Sequence, residues 1–243
     1  MVYKNPPLVE ALCVIHFTEP YPWDLTLFGL FYERLKKDFP YKESYALMGV
    51  EQKPTDKGLE QRIESGTPLV KFFSQNRERI VQVAPRTLAI SRLSNYSWED
   101  FKKDILEISK IYTELTNYTN IKALNLAYIN LIKFDSAKTH PSKYIKLYPS
   151  HITGREDFSL LLRAEIPYDK GGKLILTLNR PMEMDKNLLV FELAYSMELP
   201  EGMSFEDMEG MLDAFHYEIK RAFEESITDD ARAVFGGVEH DRL

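Results

Sequence analysis

Between Lys71 and Arg92 the chain carries five basic residues, Lys71, Arg77, Arg79, Arg86 and Arg92, against the single acid Glu78, a local balance of +4. Phe72 and Phe73 lie among them. Guanidinium groups alternating on strands can fork onto phosphate oxygens, and aromatic rings offer platforms on which bases stack. The segment is therefore a candidate anion- or nucleic-acid-binding patch. The competing reading is an outer sheet face whose arginines pair with acids elsewhere, and the chain's net charge of −6 favours it.

Other chemistry is sparser. The five histidines, His16, His140, His151, His216 and His240, include no two at the three-to-five-residue spacing of a helix-borne metal site, and neither H-E-x-x-H nor C-x-x-C occurs. His216 reads as a structural residue beside an apolar helix stripe, and His16 as a hydrogen-bonded core or edge histidine. Cys13 sits between Leu12 and Val14 in an apolar strand, where a free thiol behaves as a small hydrophobe. A reactive thiolate needs an electropositive, partly exposed niche. No G-x-S-x-G elbow is present, and Gly66, Gly171, Gly172, Gly236 and Gly237 do not compose a phosphate loop. Glu206, Asp207 and Glu209, like Asp229 and Asp230, occupy helix starts, where negative charge is favourable. Asn125 and Asn130 interrupt an apolar strand and need hydrogen-bond partners, as for a bulge or a cavity lining. With no nucleophile–base pair, metal cluster or phosphate loop, the expectation is a protein that is not an enzyme and uses no cofactor.

The elements that must position these residues follow from pattern and breakers. Leu8 to Thr18 predicts a strand apolar on both faces, closed by Pro20 and Pro22. A helix is expected from about Asp24 to Asp38, with Leu25, Phe28, Tyr32 and Leu35 inward, ended by Pro40. Residues 41–58 are polar and read as a loop. Strands follow near 59–64, from 70 onward to Val83, and over 87–93, with turns at Asn76 and Pro85. Ser97-Trp98-Glu99-Asp100 is a capping signature that opens a helix to about Leu115, with Phe101, Ile105, Ile108, Tyr112 and Leu115 inside. The order then restarts with a strand over Ile121 to Phe134 and a polar connection to 156 holding a short helical turn. A hairpin over Phe158–Ile166 and Lys173–Leu178 turns on Gly171 and Gly172, a strand covers Asn187–Leu199, and a helix capped at Ser204 runs to about Glu225.

The two capping sequences lie 107 residues apart, and their helix stripes align: Phe101 with Met208, Ile105 with Leu212, Ile108 with Phe215. The expectation is an α+β fold made of a duplicated β-α-β-β-β-α unit, its antiparallel sheets packed on the long helices. Residues 1–118 form the first repeat, and 119–243 the second with a short terminal helix and tail, folded as one compact unit. The saddle of the TATA-binding protein and the helix-grip fold share this element order, an analogy that carries no function.

A chain of 243 residues, 44% hydrophobic and 28% charged, has near-average globular composition and can bury a sizeable core. One cysteine precludes an internal disulfide, the N-terminus has no apolar signal core, and no apolar run approaches membrane-spanning length. The expected location is the cytoplasm, with no membrane partner.

Three segments carry a resemblance: Asn5-Pro6-Pro7-Leu8-Val9-Glu10-Ala11, Asn125-Leu126-Ala127-Tyr128-Ile129-Asn130, and Phe223 through Thr228, with Ile227-Thr228-Asp229 leading into the short terminal helix. Together they resemble a sporadically distributed prokaryotic family of conserved proteins of about this length whose function is unknown. Ala127 stands where that family commonly has a basic residue. The resemblance implies a bacterial or archaeal origin and, from the family's patchy distribution, a link to mobile, defence-associated genes. It brings no activity or site residue. The leading expectation is a non-catalytic binding module for a protein partner or a small ligand, an accessory of a mobile antiviral defence system. The alternative is a nucleic-acid-binding accessory protein that uses the basic 71–92 segment.

Overall fold

The computed structural model describes residues 3–18, 23–46, 49–55, 58–64, 68–93, 96–134, 139–149, 159–168, 171–180, 187–200, 203 and 205–236. The chain begins with β1 (Leu8–Phe17), α1 (Leu27–Leu35), β2 (Tyr41–Ala46), β3 (Gly49–Thr55), β4 (Gly58–Glu64), β5 (Pro68–Phe73), β6 (Arg79–Ala84), β7 (Thr87–Arg92) and α2 (Trp98–Thr116). It continues with β8 (Ile121–Lys133), a 3-10 turn at Pro141–Lys143, β9 (Leu160–Pro167), β10 (Gly172–Arg180), β11 (Leu188–Glu198), α3 (Phe205–Ser226) and α4 (Asp229–Val234).

Nine strands form one antiparallel sheet in the order β2-β5-β6-β7-β1-β8-β11-β10-β9, and β3 and β4 form a separate hairpin. This overturns the duplicated β-α-β-β-β-α unit with its sheets packed on long helices. The expected loop at 41–58 instead supplies β2 and β3, because their sequences, rich in charged and polar residues, lack the apolar alternation that marks a core strand. Where the first half has α1, the described part of the second half has only the 3-10 turn. The first strands of the two halves are sheet neighbours, so a single sheet results.

The chain divides into two compact units, one of Cys13–Leu124 with Leu199–Glu206, the other of Met1–Leu12, Asn125–Glu198 and Asp207–Leu243. In the first, Phe17 stacks on Tyr112 with ring centroids 4.5 Å apart, and Phe31 lies 5.5 Å from the same ring. Tyr112, on α2, is fully buried with Phe101, Ile105 and Ile108 at helical spacing. Ser97 caps α2 by accepting from the Asp100 N–H, and Asn117 ends it in the left-handed region at φ 58°. Helix α1 is shorter than expected and turns Phe31 and Leu35 inward, while Leu25 is 64% exposed.

In the second unit, α3 buries Met208, Leu212, Phe215 and Ile219, and Phe215 lies 4.4 Å from the ring of Tyr195 on β11. The cap expected at Ser204 lies outside the described residues. Gly171 takes φ 84° in the β9–β10 turn, the conformation that favours glycine there. Thr228 caps α4 by accepting from the Ala231 N–H.

Candidate binding surfaces

Strand alternation decides what becomes of the basic segment. Arg79 begins β6 and Arg92 ends β7, and the two are directly opposed across the ladder. Two guanidiniums so placed would repel. Asp104 of α2 lies between them: Arg79 donates through Nε at 3.0 Å and through its terminal nitrogen at 2.6 Å, and Arg92 donates at 2.9 Å. Asp100 adds a looser contact to Arg92 at 3.6 Å. The Asp104 and Arg92 side chains are only 10% and 13% exposed, and Arg79 also covers the ring of Phe39 at 4.7 Å. Two of the five candidate residues thus belong to an internal ion cluster beneath α2.

The remaining three separate. Arg77 lies in the β5–β6 turn and Arg86 in the β6–β7 turn, both at positive φ, at opposite ends of the six-residue β6. That places them roughly 20 Å apart at about 3.3 Å per residue. Lys71 lies mid-β5, opposite Glu43 of β2. The structure brings Lys71 and Arg77 together with aromatic rings on the sheet face away from Arg79 and Arg92. Arg77 lies 5.6 Å over Tyr41 and 5.1 Å over Phe73, and Lys71 lies 5.3 Å over Tyr45. Arg77 also donates to Glu43 at 3.0 Å. The Tyr45 hydroxyl, followed by the Arg77 guanidinium, holds the Glu43 carboxyl below its usual range. Tyr41 and Tyr45 escape sequence reasoning because their strand reads as a loop. Asp104 carried a usable signal, an acid adjoining the buried stripe of α2.

The unit containing β8 to β11 presents two contrasting sheet faces. Leu189, Phe191, Leu193 and Tyr195 of β11 and Leu174, Leu176 and Leu178 of β10 are buried on the α3 side. On the opposite face Ile129 and Leu131 of β8, Val190 and Glu192 of β11, and Ile175, Thr177 and Asn179 of β10 are each partly exposed. Register places Val190 beside Asn179 and Glu192 beside Thr177. The Phe134 N–H to Asn187 carbonyl bond extends these rows to Leu131 and Ile129. The result is a face on which Ile129, Leu131, Val190 and Ile175 are interspersed with polar groups, Glu192 and Thr177 continuing the row of Ile129 and Asn179 that of Leu131 and Val190. Asn130 points the other way and donates to the Phe191 carbonyl at 3.1 Å, tying β8 to β11. The buried Asn125 Oδ1 has no hydrogen-bond partner among the described residues.

The isolated candidates are structural in their geometry. Cys13 is fully buried, and that burial pushes its thiol well above the usual range, away from thiolate chemistry. His16 is exposed, lies 3.4 Å from the Thr87 hydroxyl, and is lowered by desolvation and then by Lys122. His216 hydrogen-bonds the Tyr128 hydroxyl at 2.6 Å. Among the described residues no group of three or more His, Cys, Asp or Glu side chains is placed to hold a metal ion. No described helix is long and apolar enough to cross a membrane. Comparison with protein-family models and with curated proteins finds no match to this chain.

Proposed function

We propose that the protein is a non-catalytic docking module of the cytoplasm that takes a protein partner on the open face of its β8–β11 sheet. The observation that carries this reading is the apolar content of that face: Ile129, Leu131, Val190 and Ile175 are partly exposed among polar neighbours where the α3 side of the same strands is buried. Apolar patches rimmed by polar groups mark protein contact sites. A row of partly exposed side chains along neighbouring strands suits a protein surface, whereas a small ligand needs a concave pocket to bury most of its area.

A second reading, single-stranded nucleic acid on the Lys71–Arg77 face, is favoured by the rings of Tyr41, Tyr45 and Phe73 around those two cations. The loss of Arg79 and Arg92 to Asp104 ranks it lower.

One pair of measurements separates the two readings. A photo-crosslinking residue at Ile129 in the native host should trap one discrete protein, and Val190→Arg should abolish the adduct. Fluorescence-anisotropy titration of single-stranded RNA at two salt concentrations should show no more than weak low-salt association. RNA binding that falls with salt at a slope of about −0.7 per phosphate contact, and that disappears in a Lys71→Glu/Arg77→Glu variant, would replace the first reading with the second.

A further inference from the structure

We propose that two copies of this chain associate through their β9 strands, paired antiparallel about a two-fold axis at Ala164, an interface at the sheet edge that adjoins the open face described above.

The starting observation is a strand edge that no described strand pairs. β9 is the last strand of the nine-stranded order, and among the described strands it pairs with β10 alone. Its register is unbroken from Lys173 opposite Pro167 to Arg180 opposite Leu160. The Tyr168 N–H donates to the Gly172 carbonyl at 2.7 Å, which sets the alternation along the strand. Even-numbered residues of β9 direct their main-chain groups at β10, and Leu161, Arg163 and Glu165 direct theirs outward. Such an edge is a template for another strand, and it is blunted here only at its end, where Pro167 lacks an N–H. Leu161 is 70% exposed and Ile166 44%, a large apolar load for an edge strand.

What selects a second copy is the placement of charge. A two-fold axis normal to the sheet keeps each face continuous, so residues opposed across it share a face and their numbers have the same parity. Arg163 and Glu165 satisfy this, and they already share a face, with an ion pair at 2.7 Å along the strand. With the axis at Ala164, Arg163 of each copy faces Glu165 of the other. Both residues direct their main-chain groups outward, so each pair also exchanges two main-chain hydrogen bonds. The same register sets Leu161 against Pro167, and Leu162 against Ile166 on the other face. Moving the axis by one residue opposes Arg163 to Arg163 or Glu165 to Glu165, so one register is preferred over its neighbours.

The other end of the sheet has no such code. On β2, Lys42 and Glu43 are adjacent and therefore lie on opposite faces, so no two-fold register brings them together.

The test is charge reversal read by sedimentation of the full chain. Wild type should run at twice the 28.3 kDa chain mass. Arg163→Glu and Glu165→Arg, each alone, oppose like charges at both symmetric positions and should weaken self-association by about tenfold or more. An equimolar mixture of the two variants opposes unlike charges again and should return the doubled mass. Both side chains are exposed, 53% and 43%, and circular dichroism with thermal melting checks that each variant is folded before mixing. R163E/E165R in one chain is a second variant that should dimerise with itself but not with wild type. A wild-type chain that stays monomeric up to its solubility limit overturns the proposal. So does a dimer that both single variants retain, or a folded pair of variants that fails to reassociate on mixing.

Discussion

Asp104 shows how one buried acid redirects the chemistry of a basic segment. Its carboxylate accepts from Arg79 and from Arg92, which face each other across β6 and β7. Removing it would leave two opposed guanidiniums, one of them 13% exposed, with the looser Asp100 contact as the remaining ion pair among the described residues. Breaking a buried pair at one partner is costly because the remaining charge is left uncompensated. Asp104→Ala should therefore lower the stability of the fold by about 2–4 kcal/mol, read as a fall in the urea midpoint. Asp104→Asn should cost less, since the amide oxygen still accepts. If both variants keep the wild-type midpoint, the cluster is solvated and its arginines are available to ligands.

At the scale of elements, one glycine of the β9–β10 hairpin lies under Tyr195 of β11, the ring that packs on Phe215 of α3. A Cβ on Gly172 would lie 2.3 Å from the Tyr195 hydroxyl oxygen and 2.8 Å from its ring carbons. Tyr195 has little room to retreat, with Phe215 at 4.4 Å and Tyr168 at 5.3 Å. The ring covers the glycine and fills the space a side chain would need, a recurrent way of completing a strand that has a gap. Gly172→Ala should destabilise the protein by about 1–3 kcal/mol through overpacking. Its signature is a changed near-ultraviolet tyrosine signal alongside the lower midpoint. Gly171→Ala one residue earlier should also destabilise, for a different reason: φ is 84° there and nothing lies within 4 Å of its added Cβ. The near-ultraviolet signal should then stay unchanged, which distinguishes strain from collision.

At the scale of the whole chain, the first and last described segments meet. The Tyr3 hydroxyl donates to the Glu224 carboxylate at 2.9 Å, and its ring sits edge-on to Phe223 at 6.3 Å and Phe235 at 5.6 Å. The Asn5 N–H donates to the Phe235 carbonyl at 2.9 Å. Arg232 donates to Glu224 at 3.2 Å and to Asp229 at 2.7 Å, which holds α4 against the end of α3. Burial, followed by the Glu224 carboxylate, pushes the Tyr3 hydroxyl above its usual range, so it remains a donor into alkaline pH. Deleting residues 2–5 removes the Tyr3 and Asn5 contacts, leaves the Arg232 bonds in place, and should lower stability by about 1–3 kcal/mol. Tyr3→Phe keeps the ring contacts and loses the hydroxyl, so it should cost about 0.5–1.5 kcal/mol. Hydrogen exchange should show the amides of α4 losing protection first in the deletion. Unchanged α4 exchange would mean that the N-terminal segment does not anchor that helix.

Amino-acid order alone determined the features that depend on near neighbours. The apolar alternation of Leu8–Phe17, the Ser97 cap and the buried stripe of α2, the glycine turn before β10 and the cap at Thr228 can all be read locally, because each is stabilised by residues within a few positions. Strand order is a different kind of fact. That β1 neighbours β8, and that β9 is left at an edge, depends on pairings between segments far apart in the chain, which no local pattern encodes. The polar strands Tyr41–Ala46 and Gly49–Thr55 escaped for the same reason, since their main-chain bonds to distant or adjoining strands outweigh a weak local preference. The basic residues were visible as a count, but their use was decided in three dimensions. Alternation turned Arg79 and Arg92 toward Asp104, left Lys71 on the other face, and set Arg77 and Arg86 at opposite ends of one strand. Charge along a sequence measures how many ionic groups exist; only the tertiary structure decides which are neutralised inside and which remain at the surface, because a charge is satisfied by whatever is near it in space.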